Sequence, residues 1–468
     1  MNQIWAVARQ TIAEGIRMKI AVVFLVLLGL VLLALPVSIA GDSSLTGAVQ
    51  SFMSYSLSAA GVLLGLLTIF MSRSVSDEFV NRQIFLLVTK PIPRWKLLVG
   101  KWGGMMLLNV AFLGFTGAAV YGMVHYIKRT HPPIEERYDA RELENEVLVA
   151  RHAIRCTLPD FSRPAEAEFE RNREQGMYAE LPGFDPQAEK VRLEKKYEAR
   201  WRVVPHYDAR VFVFENILCD RSAENYVQLR YKAEVSQYAP DEIFRAFWRF
   251  GDPAKGTAVY DFRSRHIVGR YHTIRVPGNA VAEDHSLTAS FYNWNPFEDE
   301  PQTRDVIEFR AADTPELLFV VGSFGWNLVR VLLLVFCKLM FLGAVAVFMT
   351  TLFSFPVACL GSFTVYVLAG ARSFILEAFD FISDDRASMF SSAHEFVIQS
   401  IAHVYEMVHW VLPNFSRYDA VETFVNGRNV SLVWVLQAVS ELALIKTTII
   451  LGLAILLFYR REVAEISV

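Results

Sequence analysis

Apolar and polar residues run along this chain in long blocks. Five stretches, Ile20 to Ala40, Phe52 to Met71, Trp102 to Val124, Leu328 to Phe353 and Leu432 to Phe458, approach or exceed the roughly 20 apolar residues a membrane-crossing helix needs. A sixth, Val357 to Ala371, is short and follows Pro356, which predicts either a thin tilted span or part of a helix broken within the bundle. Basic residues cluster at Arg9, Arg17 and Lys19, between Met71 and Lys101, and at Arg460 with Arg461. The positive-inside rule puts all three groups on the cytoplasmic side, which requires an even number of crossings, so six spans are expected.

Two further segments have helical periodicity without being spans. In Met1 to Lys19, Trp5, Ala8, Ile12 and Ile16 share one face while Arg9, Glu14 and Arg17 lie elsewhere, which predicts a helix along the inner leaflet. In Met389 to Leu412, His394, Glu395, Gln399, His403, Glu406 and His409 take one arc and Phe390, Ile398, Ile401, Val404, Tyr405 and Val408 the other. That predicts an interfacial or re-entrant amphipathic helix within a segment 372–430. Ser38-Ile39-Ala40 resembles a leader-cleavage site, but the stretch before the apolar core is too long and amphipathic for a secretory leader, so an uncleaved first span is expected.

Between the third and fourth spans the pattern changes over roughly 190 residues, enough for a separate domain, 126–316, placed outside by the topology. Its first part, 131–205, reads as helical, with Ala165 to Gln175 and Gln187 to Trp201 rich in Glu, Arg, Lys and Ala between breaks at Pro159, Pro164, Pro182 and Pro186. From 206 to 316 the period becomes that of strands: Arg210 to Glu215, Tyr226 to Val235, Ala258 to Ser264, Tyr271 to Val276, Ser286 to Tyr292 and Val306 to Arg310. The fold class expected is therefore a six-span α-helical membrane bundle carrying an extracytoplasmic α+β domain with an antiparallel β-sandwich, whose Tyr226 to Lys232 (YVQLRYK) and Thr273 to Trp294 segments resemble a jelly-roll of the carbohydrate-binding type. Trp248, Tyr292 and Trp294 are candidate stacking faces for a sugar ring, although aromatic residues at strand ends more often close a core.

Composition agrees with a segregated membrane protein: 53% of the 468 residues are apolar and 20% charged. The net charge of −3 carries no basic excess that would suggest nucleic acid. Of four cysteines, only Cys156 and Cys219 lie in the domain, where they would pair only if it is exported.

Nucleotide and metal chemistry are missing from the motifs. Gly100-Lys101 lacks the first glycine and the Ser or Thr of a phosphate-binding loop, and no nucleophile elbow is present, so no catalytic residue is assigned and the chain is not expected to be an enzyme. His403, Glu406 and His409 do not form a metal box, because histidines six apart lie about 240° apart around a helix. Ionisable residues within spans remain: Lys338, Glu441 and Lys446, candidates for an intramembrane polar contact or transport path, with Glu441 expected to pair with Lys338 or Lys446.

Taken in order, an inner-leaflet helix before the first span, then Glu78, Arg82, Leu86, Leu87, Lys90-Pro91, Arg94 and Gly100-Lys101, resemble the permeases of type-2 ABC exporters. The Pro356 turn, Leu412-Pro413-Asn414-Phe415 with Asp419 and Gly427, and the closing Tyr459-Arg460-Arg461-Glu462 are similar as well. The resemblance covers the membrane portions and not the 126–316 insert. It implies a transport subunit in the inner membrane with both termini cytoplasmic, paired as a homodimer or with a related permease. A separate ABC ATPase subunit would bind the ATP. Within the loop 72–101, the resemblance makes Ser76 to Leu87 a coupling helix, with Ser76, Glu78, Arg82, Leu86, Leu87 and Arg94 as its contacts. A different class of protein also fits the pattern: a membrane-anchored receptor or assembly protein whose β-sandwich binds a partner or glycan.

Overall fold

The computed structural model describes residues 3–38, 45–80, 93–130, 143–178, 184–235, 243–294, 306–386 and 413–460. Its helices are α1 (Gln3–Arg17), α2 (Ile20–Ser38), α3 (Leu45–Met71), α4 (Arg73–Val80), α5 (Arg94–Thr130), α6 (Ser162–Glu174), α7 (Pro186–Arg202), α8 (Phe324–Leu352), α9 (Phe355–Arg386), α10 (Val421–Val425) and α11 (Leu432–Arg460). The chain divides into two compact units, one of Met1–Ala150 with Gly322–Val468 and the other Arg151–Val321.

In the first unit, five helices are long and apolar enough to cross a membrane, and α1 with α2 qualifies as a bent pair, turning 66° between them. The turn falls at Lys19, whose φ of 61° is left-handed. α5 has 37 residues, about 55 Å of helix, so it outruns a hydrocarbon core of about 30 Å. Its surplus carries Arg94 and Lys96 at one end and Lys128 and Arg129 at the other, the latter favoured by the carbonyl end of the helix dipole.

Two expectations shift here. The segment read as a short 357–371 span is a 32-residue helix, with Pro356 in its first turn where the absent N–H breaks no ladder bond. The second unit also begins at Arg151 rather than 126, because α5 runs on to Thr130 and the π-turn Leu143–Val147 packs with the core of the first unit. The amphipathic helix expected over 389–412, including His403, Glu406 and His409, lies outside the described residues.

The chain from Pro413 to Ser431 packs with the core of the first unit and finds partners for its backbone. Phe415 N–H donates to Ala369 O (3.0 Å), Gln50 donates to Val425 O (3.2 Å), and Asn327 receives Val430 N–H (2.9 Å) while donating to Arg428 O (2.8 Å). α10 ends in a Schellman turn: Gly427, at φ 64°, donates to Phe424 O and Arg428 N–H reaches Thr423 O. A side chain at Gly427 would collide with the carbonyl of Glu146.

The second unit includes the α6–α7 hairpin, where Ala165, Phe169 and Leu193 meet the rings of Tyr178 and Phe184. Asp185 caps α7 by accepting from Gln187 N–H (2.8 Å), with Pro186 in the first turn. The described residues hold eleven strands: β1 (Val149–Arg155), β2 (Val203–Val204), β3 (Ala209–Phe214), β4 (Tyr226–Lys232), β5 (Glu234–Val235), β6 (Ile243–Phe250), β7 (Tyr260–Ile267), β8 (Tyr271–Pro277), β9 (Leu287–Tyr292), β10 (Ile307–Glu308) and β11 (Glu316–Ser323). They make two four-stranded sheets, ordered β1-β11-β4-β8 and β3-β9-β6-β7, and a three-stranded sheet β2-β10-β5. The inward residues of both large sheets share one core, in which Trp248 is 0% exposed and its ring centre lies 4.9 Å from Tyr231 and 5.1 Å from Phe291. Trp248 is therefore a core residue, whereas Tyr292 and Trp294 remain partly exposed. Cys156 and Cys219 are both free thiols.

Candidate functional site

The chain's best-organised polar cluster joins α1, α4 and α5. α1 lies against α5 because Gly100 and Gly104, four apart, present no side chain to it: a Cβ on Gly104 would lie 2.7 Å from Ala8 O, and one on Gly100 2.7 Å from Val7 Cβ. This close approach brings Lys101 Nζ within 2.8 Å of Glu14 Oε2. The same ammonium donates to Ser74 Oγ (2.7 Å), and the Ser74 hydroxyl donates in turn to Glu14. Gln10 supports the carboxylate from one turn earlier on α1 (2.8 Å). The ammonium is thereby satisfied although Lys101 is 1% exposed, a burial tolerable only with a charged partner and further acceptors.

A second fastening lies at the start of α5. Arg94 donates to Phe458 O (3.1 Å) and Tyr459 O (3.3 Å), and its guanidinium stands 5.5 Å from the centre of the Phe458 ring. These are carbonyls at the end of α11, which the helix itself leaves unsatisfied. Lys96 donates to Gln3 Oε1 of α1 (2.9 Å). α4 is thus attached to a clamped assembly of α1, α5 and the end of α11.

Among the residues expected to couple to a partner, Ser76 falls within α4 and is 3% exposed, so its hydroxyl faces the bundle. Glu78 belongs to α4 by its backbone. Arg82, Leu86 and Leu87 lie outside the described residues. Arg94 binds the end of α11, as above.

The ionisable residues expected within spans divide. Glu441 pairs with Lys446 (Oε1 to Nζ, 3.0 Å) and accepts from the Tyr418 hydroxyl (2.5 Å). Glu441 and Lys446 share a face because Val439–Lys446 is π-helical, a geometry that aligns residues five apart. Lys338 is not part of that pair. Two apolar grooves flank α2. One, of about 460 Å³, is lined by Tyr55, Ser58 and Val62, and the other, of about 420 Å³, by Phe115, Gly122 and Tyr126.

Sequence reasoning missed Glu14, Ser74 and Tyr418, and treated Lys101 as a loop cation. One signal was available: Gly100-x-x-x-Gly104 is the spacing that lets helices approach closely within a membrane. Comparison of the chain with known protein families, curated proteins and solved structures finds no match.

Proposed function

We propose that this chain is the membrane-spanning permease subunit of an ATP-driven ABC exporter of the type-2 class, driven by a separate ATPase subunit that binds the nucleotide. The observation that carries this reading is the Glu14–Lys101–Ser74 cluster, which fixes the short helix following α3 to α1 and α5. A push delivered to 72–101 from a docked partner would pass through that cluster and through Arg94 into α11, rather than dissipate in a loose loop. Basic residues at both ends of the chain and in 72–101 support an inner-membrane orientation with cytoplasmic termini and an extracytoplasmic insert. The insert's sheet orders, β1-β11-β4-β8 and β3-β9-β6-β7, support a jelly-roll reading once the short strands β2, β5 and β10 are set aside. In this reading two permease chains assemble, as a homodimer or with a related chain.

A tagged full-length chain should co-purify from its native membranes with a Walker-motif ATPase, whose turnover falls at least severalfold with Glu78→Ala combined with Arg82→Ala. Recovery of the intact membrane protein with no ATPase, or turnover indifferent to both substitutions, would overturn the reading. The separate core of Arg151–Val321 favours one other possibility, a membrane-anchored receptor or assembly protein, which predicts a bound extracytoplasmic partner and no ATPase.

A further inference from the structure

Of the two apolar grooves beside α2, one ends at a cation. The groove of about 420 Å³ between α2 and α5 is lined by Gly29 and Leu33 of α2 and by Phe115, Ala119, Gly122 and Tyr126 of α5. Gly29 and Gly122 leave it open, since a Cβ on either would meet nothing within 4 Å. Tyr126, exposed at one end, brings the single polar side chain of this lining among the described residues.

On α5 the lining residues Phe115, Ala119, Gly122 and Tyr126 are spaced four, three and four residues apart, the repeat that keeps side chains on one face of a helix. The next step of that repeat is Arg129, one turn beyond Tyr126 and exposed. Its neighbour Lys128 is paired with Glu144, whereas Arg129 has no ion pair among the described residues. An arginine stem can lie along apolar surface while its guanidinium reaches the polar boundary of a bilayer, the level at which tyrosines also collect. An anion at this end of α5 faces the carbonyl pole of the helix, so it needs a cation to be held there. The groove of about 460 Å³ on the other side of α2 has no such cation, because α3 carries no charged residue from Leu45 to Met71. Both grooves fit hydrocarbon. Only the α2–α5 groove joins an apolar channel to a positive charge, which is the complement of a lipid with an acyl tail and an anionic head.

We propose that the α2–α5 groove holds an acyl chain of an anionic phospholipid, with the lipid phosphate bound by Arg129, in the leaflet away from the 72–101 loop. The inference rests on α2 and α5 lying in a bilayer, as the exporter reading has them, and not on transport. It is tested on the full chain in mild detergent, exchanged with an equimolar mixture of phosphatidylglycerol and phosphatidylcholine of identical acyl chains, with bound lipids counted by native mass spectrometry. Phosphatidylglycerol should be retained at least fivefold over phosphatidylcholine, and Arg129→Gln should abolish that preference while total bound lipid stays the same. Gly122→Leu fills the groove without a clash and should lower retained phosphatidylglycerol at least fivefold. Gly114→Leu, which also meets nothing within 4 Å but lies off the lining, should leave retention unchanged. Both leucine variants replace a helical glycine and should unfold, without lipid, no lower than the parent, which separates lost lipid from misfolding. Free glycerol phosphate should not displace the lipid, since it lacks the chain that fills the groove. The proposal is overturned if the parent shows no preference, if the preference survives Arg129→Gln, or if the two leucine variants retain phosphatidylglycerol equally. Displacement by glycerol phosphate would overturn it as well. None of these outcomes bears on whether an ATPase co-purifies, so the exporter reading stands or falls separately.

Discussion

Lys101 Nζ sits 2.8 Å from Glu14 Oε2, and the two are unequally shielded: the lysine side chain is 1% exposed and the glutamate 27%. The asymmetry decides what each deletion does. Glu14→Ala removes the carboxylate that faces a buried ammonium and should destabilise the first unit by about 3–5 kcal/mol, the usual range for breaking a buried pair. Lys101→Met leaves a carboxylate that can turn toward solvent and should cost less. The double variant should recover part of the Glu14→Ala loss. Thermal unfolding of the four proteins in one detergent measures the cycle, and additive losses would mean the pair is not coupled.

The two glycines of α5 give a sharper contrast than their sequence suggests. Gly104→Ala puts a Cβ 2.7 Å from a backbone oxygen of α1, which cannot swing aside, so α1 must shift. The expected loss is about 1–3 kcal/mol, as for other overpacked contacts. Gly103→Ala meets nothing within 4 Å and should be neutral or stabilise the helix by up to about 1 kcal/mol. Equal unfolding temperatures for the two variants would refute the close α1–α5 contact.

What the sequence made legible follows from which residues have a short-range signature. The apolar blocks and the β-branched alternation of β3, β4, β8 and β9 are local patterns, and the elements lie where they indicate. β6 was missed because IFRAFWRF carries large apolar residues on both faces, Ile243 and Phe247 sharing the outer face with the arginines, which blurs the alternation. α9 was read short because Arg372 to Arg386 turns polar, and hydropathy registers the end of an apolar block, not the end of a helix. Glu441 was expected to pair with Lys338 or Lys446, and only the π-helical winding of Val439–Lys446 decides for the second. The Glu14–Lys101 pair is 87 residues apart in sequence, beyond any periodicity.

Tyr418 and Glu441 provide a test of the returning segment 413–431. Tyr418→Phe removes one hydrogen bond between that segment and α11 and should cost about 0.6–1.7 kcal/mol, the range measured for such bonds in membranes. Glu441→Ala also removes the charge facing Lys446 and should cost more, about 3 kcal/mol. Glu441→Gln should fall between them, since it keeps an acceptor for the tyrosine but no charge. The three unfolding temperatures should keep that order, and a Glu441→Ala variant as stable as the parent would deny the pair any structural role.

His266 makes the second unit sensitive to mild acid. Its ring packs against Tyr231 and, 4.0 Å away, His272; burial first, and the neighbouring imidazole second, push its pKa down from 6.5 to about 4. Between those values the unfolded chain takes up a proton that the folded one refuses, so stability is full above about pH 6.5 and declines as pH falls toward 4. Below about 4 both states are protonated and this group adds no further loss. Asp284 acts in a separate window: bonds from Lys255 and Ser286 hold its pKa at about 2 against 3.8, so its contribution survives until the pH drops below 3.8. His266→Gln should therefore flatten the dependence of unfolding temperature on pH between 6.5 and 4, whereas Asp284→Asn should alter it only in stronger acid. If His266→Gln left the slope in that window unchanged, the proton taken up on unfolding would have to bind at another group.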